Sequence, residues 1–177
     1  PRLRTQHGEE LAFDDIVIAT HADQAIAMLS DIDDTESSVL GELPYSENKV
    51  VLHTDTRLLP RRRLAWSSWN YRLRESSIRA TLTYNMNILQ GIESPETFCV
   101  TLNDTDAIDP RTILGEYQYA HPQFTIKGIA AQHRWGDISG PRNTWFCGAY
   151  WRNGFHEDGL FSGNRVADAI IKKRGLL

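Results

Sequence analysis

The residues with the clearest chemical potential lie near the C-terminal end of the chain, where an apolar run meets a glycine-containing turn and a predicted helix. Gly148, Gly154 and Gly159 allow the backbone to approach another group closely, and Glu157 and Asp158 fall in the first helical turn. A helix N-terminus offers unpaired N–H donors and partial positive charge, so it can hold an anionic part of a cofactor. The two carboxylates can equally be helix caps, and the sequence leaves both interpretations open.

A cofactor bound here would contact the strand end, the turn and the first helical turn together. The spacing of polar residues along the chain supports no Ser-His-Asp arrangement and assigns no catalytic residue. The predicted cofactor-binding residues are Gly148, Ala149, Gly154, Phe155, His156, Glu157, Asp158 and Gly159.

Aromatic side chains form a second candidate set. Trp66, Trp69 and Tyr71 alternate imperfectly along one predicted strand, and Trp151 flanks the turn before the last helix. These four side chains could line a substrate channel. Aromatic residues also favour strands for packing reasons alone, so an ordinary sheet core is the competing interpretation.

A metal site has weaker support. His53 and Asp55 are two residues apart and therefore share one face of a predicted strand. With His133 they form the basis of a hypothetical metal-dependent hydrolase. No third ligand stands at a convincing spacing, so we predict no metal site.

The composition of the chain narrows the classes of function. The 177 residues are 41% hydrophobic and 24% charged, as in soluble globular proteins. The net charge of −4 and the pI of about 5.9 disfavour a nucleic-acid partner, which would usually require a basic surface. No apolar run reaches the roughly 18 residues of a membrane span, and no signal peptide is visible, so we expect a cytoplasmic protein.

Two short features favour ordinary structural roles. Cys99 and Cys147 lie in apolar strand-like runs, which predicts buried free thiols in a reducing compartment. The basic run 61–63 follows Pro60, and we favour a solvated loop there over an anion site.

The elements that would position these residues suggest an α+β fold. A buried strand at 16–20 followed by a helix at 22–29, and a last strand at 144–147 followed by a helix from about 157 to 172, read as parts of one layered α/β domain. Between them, four predicted strands form a mixed, mostly antiparallel sheet. These strands are predicted at 49–55, 64–71, 80–86 and 98–102.

Four segments give the chain a family resemblance. It resembles the C-terminal portion of flavin-containing amine oxidase-like proteins and, more narrowly, bacterial predicted NAD/FAD-binding proteins. The last segment is the most specific. The first segment is 15–22, and the second combines 52–55, 59–60 and 65–71. The third combines 84–90 and 100–103, and the fourth runs from 146–151 through 154–159.

The resemblance implies an incomplete two-domain flavoprotein fold. Residues 1–40 and 141–177 would belong to the FAD-binding domain, and residues 41–140 to the β-rich substrate domain. FAD would be the cofactor, and substrate would be oxidised by hydride transfer to the flavin. The chain contains no G-x-G-x-x-G fingerprint, so we expect a C-terminal fragment that lacks the N-terminal FAD-binding half, is inactive alone and self-associates through the surface left open.

The resemblance also suggests individual roles. Gly148 matches a glycine that passes close to the cofactor, and Glu157 to Gly159 match the turn facing the flavin ring. Thr20 and His21 match the strand end near the adenine side, and Gly163 and Arg165 match the helix beyond the turn. The residue after Gly148 is usually acidic in amine oxidases but is Ala149 here, which removes a carboxylate from the site.

A second function class stays open at this level. The chain could be a non-catalytic domain that binds a ligand or partner through its aromatic sheet. For the enzyme, the resemblance suggests a small-molecule or lipid-like substrate.

Overall fold

The computed structural model describes residues 1–73 and 81–176, which combine helices and strands as expected for an α+β protein. Short 3₁₀ helices at Thr56–Leu58, Arg63–Ala65 and Ala149–Trp151 shape the turns that matter below. The helices are α1 (Ala22–Met28), α2 (Asp34–Gly41), α3 (Met86–Gln90), α4 (Ile126–Gln132), α5 (Trp135–Ile138) and α6 (His156–Arg174). The strands are β1 (Arg2–Arg4), β2 (Glu10–Ala12), β3 (Ile16–Ile18), β4 (Tyr45–His53), β5 (Trp69–Arg72), β6 (Thr81–Asn85), β7 (Cys99–Leu102), β8 (Ile113–Pro122) and β9 (Thr144–Phe146).

The chain divides into two compact units. The first contains Pro1–Ser46 and Pro122–Leu177, and the second contains Glu47–His121. The second unit is shorter than the predicted substrate-domain range 41–140, because α4 and α5 belong to the first unit. The assignment of these units to FAD-binding and substrate domains stays a prediction.

The first unit is built around a parallel pair of strands. β3 and β9 lie side by side, with Ile16 opposite Thr144 and Ile18 opposite Phe146. Neighbouring parallel strands require a long crossover connection. The strand–helix pattern at the two ends of the sequence predicted that both ends belong to one α/β domain. The buried strand predicted at 16–20 is shorter and only partly buried, because β3 ends at Ile18 and Val17 is 46% exposed on the face opposite Ile18.

The core of the first unit joins strands and helices. Trp135 of α5 donates its Nε1–H to the carbonyl of Phe146 at 2.7 Å, which ties that helix to β9. α2 is an amphipathic surface helix that contributes Val39 and Leu40, both fully buried, to this core. Val166 of α6 packs in the same core.

The second unit is a five-stranded sheet in the order β5-β6-β7-β4-β8. The pairs from β5 to β4 are antiparallel, and Asn70, Thr83 and Thr101 are consecutive partners across three strands. These polar residues are buried on one face of the sheet. The opposite face carries apolar and aromatic side chains.

Several predicted elements differ from the structure. The predicted strand at 64–71 is wrong before Trp69, since residues 63–65 form a 3₁₀ helix and Trp66 ends it. Ala80, the first residue of another predicted strand, lies outside the described residues. α4 and α5 were not predicted, because residues 123–140 contain three glycines and few periodic apolar positions. Among the residues that the structure describes, no helix has both the length and the apolar character of a membrane span.

Candidate functional site

The structure brings most of the predicted cofactor-binding residues together at the junction between β9 and α6. After β9 the chain turns at Gly148, whose N–H donates to the Ser162 hydroxyl of α6 at 3.1 Å. Gly154 closes the turn by donating its N–H to the carbonyl of Ala149, also at 3.1 Å. A Cβ placed on Gly159 would lie 4.0 Å from both N and Cβ of Ala149, so the first turns of α6 rest against the 3₁₀ helix.

Two of the glycines are required by the turn itself. Gly148 has φ of 155°, and a Cβ there would lie 2.4 Å from the ring of buried Tyr150. Gly154 has φ of 87°, and its Cβ would approach the Phe124 ring to 3.1 Å. These positions therefore favour glycine for conformation and packing, whether or not a ligand approaches.

The first turn of α6 separates a capping carboxylate from open backbone donors. Asp158 is 5% exposed and accepts the N–H of Phe155 at 3.0 Å, and its other oxygen lies 3.5 Å from Nε of Arg152. Asp158 is therefore a helix cap. Within the described part of the chain, the N–H groups of His156 and Glu157 meet no hydrogen-bond acceptor, and both side chains are exposed. These two N–H groups are the available anion donors.

Two polar atoms beside this turn are buried without partners. Tyr150 Oη and Trp151 Nε1 have no hydrogen-bond partner among the residues that the structure describes. Both side chains are 4% exposed, and burial raises the pKa of the Tyr150 hydroxyl. Trp151, predicted to line a substrate channel, is thus part of the core of the first unit. Its role toward a substrate stays a prediction.

Tyr45 is a neighbour of this cluster that sequence reasoning missed. Its ring stacks on His21 with 4.3 Å between centroids and meets Tyr150 edge-on at 6.2 Å. Its hydroxyl accepts the N–H of Ala22 at 3.4 Å, and burial raises the pKa of Tyr45 to about 12. The position of Tyr45 at the start of a distant strand gave no signal in the sequence. The ring contact holds His21 at the end of β3, where a cofactor contact was predicted.

Gly163 and Arg165, which were also carried over from the resemblance, lie along α6. No atom comes within 4 Å of a Cβ placed on Gly163. The Arg165 guanidinium lies over the Trp135 ring, 3.8 Å from its centroid, and burial lowers its pKa. Arg165 therefore covers the core of the first unit.

The other three residues of the predicted aromatic set, Trp66, Trp69 and Tyr71, occupy two places in the second unit. Trp69 and Tyr71 lie on one face of β5, 42% and 63% exposed, and Trp69 meets Tyr84 edge-on at 5.2 Å. Trp66 precedes the strand and donates its Nε1–H to the carbonyl of Pro60 at 2.8 Å. Only Trp69 and Tyr71 therefore share an exposed sheet face.

The geometry does not support the metal-hydrolase hypothesis. His53 is fully buried; its Nδ1 accepts the N–H of Asp55 at 3.0 Å, so its Nε2–H donates to the Thr101 hydroxyl at 2.7 Å. The Arg57 guanidinium donates to both oxygens of Asp55, at 2.9 and 2.6 Å, and lowers the pKa of that carboxyl. His133 is an exposed residue at the end of α4. Within residues 1–73 and 81–176, no three His, Cys, Asp or Glu side chains are arranged to hold a metal ion.

Known structures with a similar fold include two proteins named for different activities. One is a putative protoporphyrinogen oxidase from Exiguobacterium sp. 255-15, with a TM-score of 0.57 and 13% sequence identity. The other is reduced UDP-galactopyranose mutase, with a TM-score of 0.62 and 14% identity. Each comparison covers 97% of this chain and 44% of the other, so the chain spans less than half the length of these proteins. At this identity the likeness shows the fold alone. No family model and no curated protein matches the sequence.

Proposed function

We propose that this chain forms part of an FAD-dependent oxidoreductase and that the junction of β9 with α6 contacts the cofactor. One observation carries the proposal: the unpaired N–H groups of His156 and Glu157 open the longest helix of the described chain, directly after a turn that packs against it. The fold neighbours support it, since one is named an oxidase and the other was solved in a reduced form.

The residues at the junction fit an anionic, planar cofactor. The N–H groups of His156 and Glu157 would donate to its acceptor atoms, and the helix dipole would add about 1 kcal/mol of stabilisation to negative charge. Gly159 leaves the space in front of Ala149 free of a side chain. Phe155, 58% exposed at the helix start, offers an apolar surface for a ring. Bound FAD would supply the hydride-accepting chemistry, and the chain's part is to orient and stabilise it.

The sheet face of the second unit suggests the class of substrate. Trp69 and Tyr71 expose large apolar surfaces side by side on β5, which suits a small-molecule or lipid-like substrate with an apolar body.

Cys99 and Cys147 are free and buried. We infer from these thiols a reducing compartment, the cytoplasm.

The test is retention of FAD by the protein expressed from its complete gene. We expect visible flavin absorbance to persist after desalting in the wild type and in Gly163→Leu. Gly163 is the control because a Cβ placed there meets no atom within 4 Å. Gly159→Leu should lose it, because the new side chain fills the space before Ala149. Melting temperatures of all three proteins control for folding.

Two results would contradict the proposal. Equal retention by Gly159→Leu and the wild type would remove the cofactor from this junction. A colourless wild type would instead favour the second candidate, a non-catalytic domain that binds a ligand or partner through exposed Trp69 and Tyr71. Oligomeric state, measured by light scattering, tests the further expectation of self-association.

A further inference from the structure

A cavity lies in the second unit, and no residue assigned to FAD lines it. It has a volume of about 380 Å³, and its lining includes Thr56, Arg57, Arg61, Arg63 and Trp66. Its wall holds three guanidinium groups, although the net charge of the chain is −4. The sequence alone favoured a solvated loop for this basic run, because it could not show that two of its three arginines share a cavity with Arg57.

The loop that forms the cavity is held in place on both sides. Leu58 and Leu59 are buried at 7% and 5% exposure and anchor its first half. Asp55 holds the Arg57 guanidinium and also accepts the N–H of Asp109 at 2.9 Å. The Trp66 indole is bonded to the carbonyl of Pro60 at 2.8 Å and fixes the other end of the loop. The cavity is therefore a formed feature of the fold.

Two of the three guanidinium groups remain uncompensated. Arg57 is paired with Asp55, but Arg61 and Arg63 form no ion pair with any residue in the described ranges 1–73 and 81–176. The Arg63 guanidinium lies over the Trp66 ring, 5.3 Å from its centroid, which orients it without neutralising it. The cavity wall thus carries about two net positive charges and the Thr56 hydroxyl.

We propose that this cavity binds a phosphate group through Arg61 and Arg63. Guanidinium groups donate paired hydrogen bonds that match phosphate oxygens, and a phosphate dianion offers more acceptors than a carboxylate. The Trp66 ring borders the site and would contact whatever apolar or planar group carries the phosphate. The same chemistry is present in a soluble phosphate compound and in a phospholipid headgroup.

The test is calorimetric titration of the full-length protein with inorganic pyrophosphate at fixed ionic strength. Arg61→Gln and Arg63→Gln should each weaken binding about tenfold or more, as expected for loss of a charge-assisted hydrogen bond. Arg62→Gln is the matched control, because it removes the same charge from the same run at a residue that does not line the cavity. We expect Arg62→Gln to weaken binding less than twofold. All three side chains are exposed, so melting temperatures should not change.

A second arm identifies the source of the phosphate. The wild type and the three variants are each tested for flotation with two kinds of vesicle. One kind is phosphatidylcholine alone, and the other is phosphatidylcholine that contains phosphatidic acid. Binding of pyrophosphate that depends on Arg61 and Arg63 supports a soluble ligand. Binding only to phosphatidic acid vesicles, with the same dependence, supports the site with a lipid headgroup as its ligand. Equal losses in all three variants, or no binding in either arm, would overturn the proposal.

Discussion

The Asp158 carboxylate accepts the backbone N–H of Phe155 at 3.0 Å and thereby caps the helix whose first turn was expected to contact a cofactor. The neighbouring Glu157 makes no such bond and faces solvent. Two adjacent carboxylates that the sequence could not distinguish therefore have different roles. Asp158 fixes the geometry of the turn, and the backbone beside Glu157 is left free to bind.

This difference predicts unequal effects of alanine substitution at the two residues. Asp158→Ala should lower the free energy of unfolding by about 1 kcal/mol, because it removes a cap whose carboxylate is almost fully buried. Glu157→Ala should change it by less than about 0.5 kcal/mol. Urea unfolding of both variants and the wild type measures the difference. Similar values for the two variants would show that Asp158 does not cap the helix.

A second pair of substitutions tests why the chain needs glycine after β9. Gly148→Ala should lower the free energy of unfolding by about 2 kcal/mol, since its Cβ would collide with Tyr150 at a backbone conformation that other residues rarely adopt. Gly163 lies within α6, and a Cβ there would meet open space. Gly163→Ala should therefore raise the free energy of unfolding by about 0.5 kcal/mol. Thermal melts compare the two. A Gly148→Ala protein as stable as the wild type would mean that the Tyr150 ring moves aside.

The sequence predicted the strand–turn–helix because its signals are local. The apolar run at 144–147, the glycines and the long amphipathic pattern of α6 lie within some 30 residues of one another. The stack of Tyr45 on His21 could not be predicted, since it joins residues from separate elements. The cavity beside Trp66 was missed because the sequence could not show that Arg57, Arg61 and Arg63 line one cavity.

The buried thiols predict resistance to alkylation in the folded protein. Burial raises the pKa of Cys99 to about 11 and also raises that of Cys147, so little reactive thiolate forms near pH 8. We expect iodoacetamide to label both cysteines slowly in buffer and rapidly in denaturing urea. Mass spectrometry of timed samples gives the two rates separately. Rapid native labelling of Cys99 would contradict its complete burial.

The buried imidazole of His53 predicts how stability responds to pH. Burial lowers the pKa of His53 below its ordinary value of 6.5, and the Asp55 charge only partly offsets this. As the pH falls below about 6.5, the unfolded chain therefore gains a proton at His53 while the folded chain does not. The free energy of unfolding should consequently decrease from pH 7 toward pH 5, until the folded histidine itself is protonated.

His53→Gln isolates this effect, because glutamine cannot titrate in this range and its amide can still donate to Thr101. The variant should show a smaller decrease in the free energy of unfolding between pH 7 and pH 5 than the wild type. Urea unfolding at four pH values measures both slopes, and exposed His133→Gln is the control that removes a histidine without burial. Parallel slopes for the wild type and His53→Gln would mean that His53 is protonated equally easily in both states. Nδ1 of His53 is hydrogen-bonded to Asp55 and Nε2 to Thr101, so that result would also contradict these hydrogen bonds of His53.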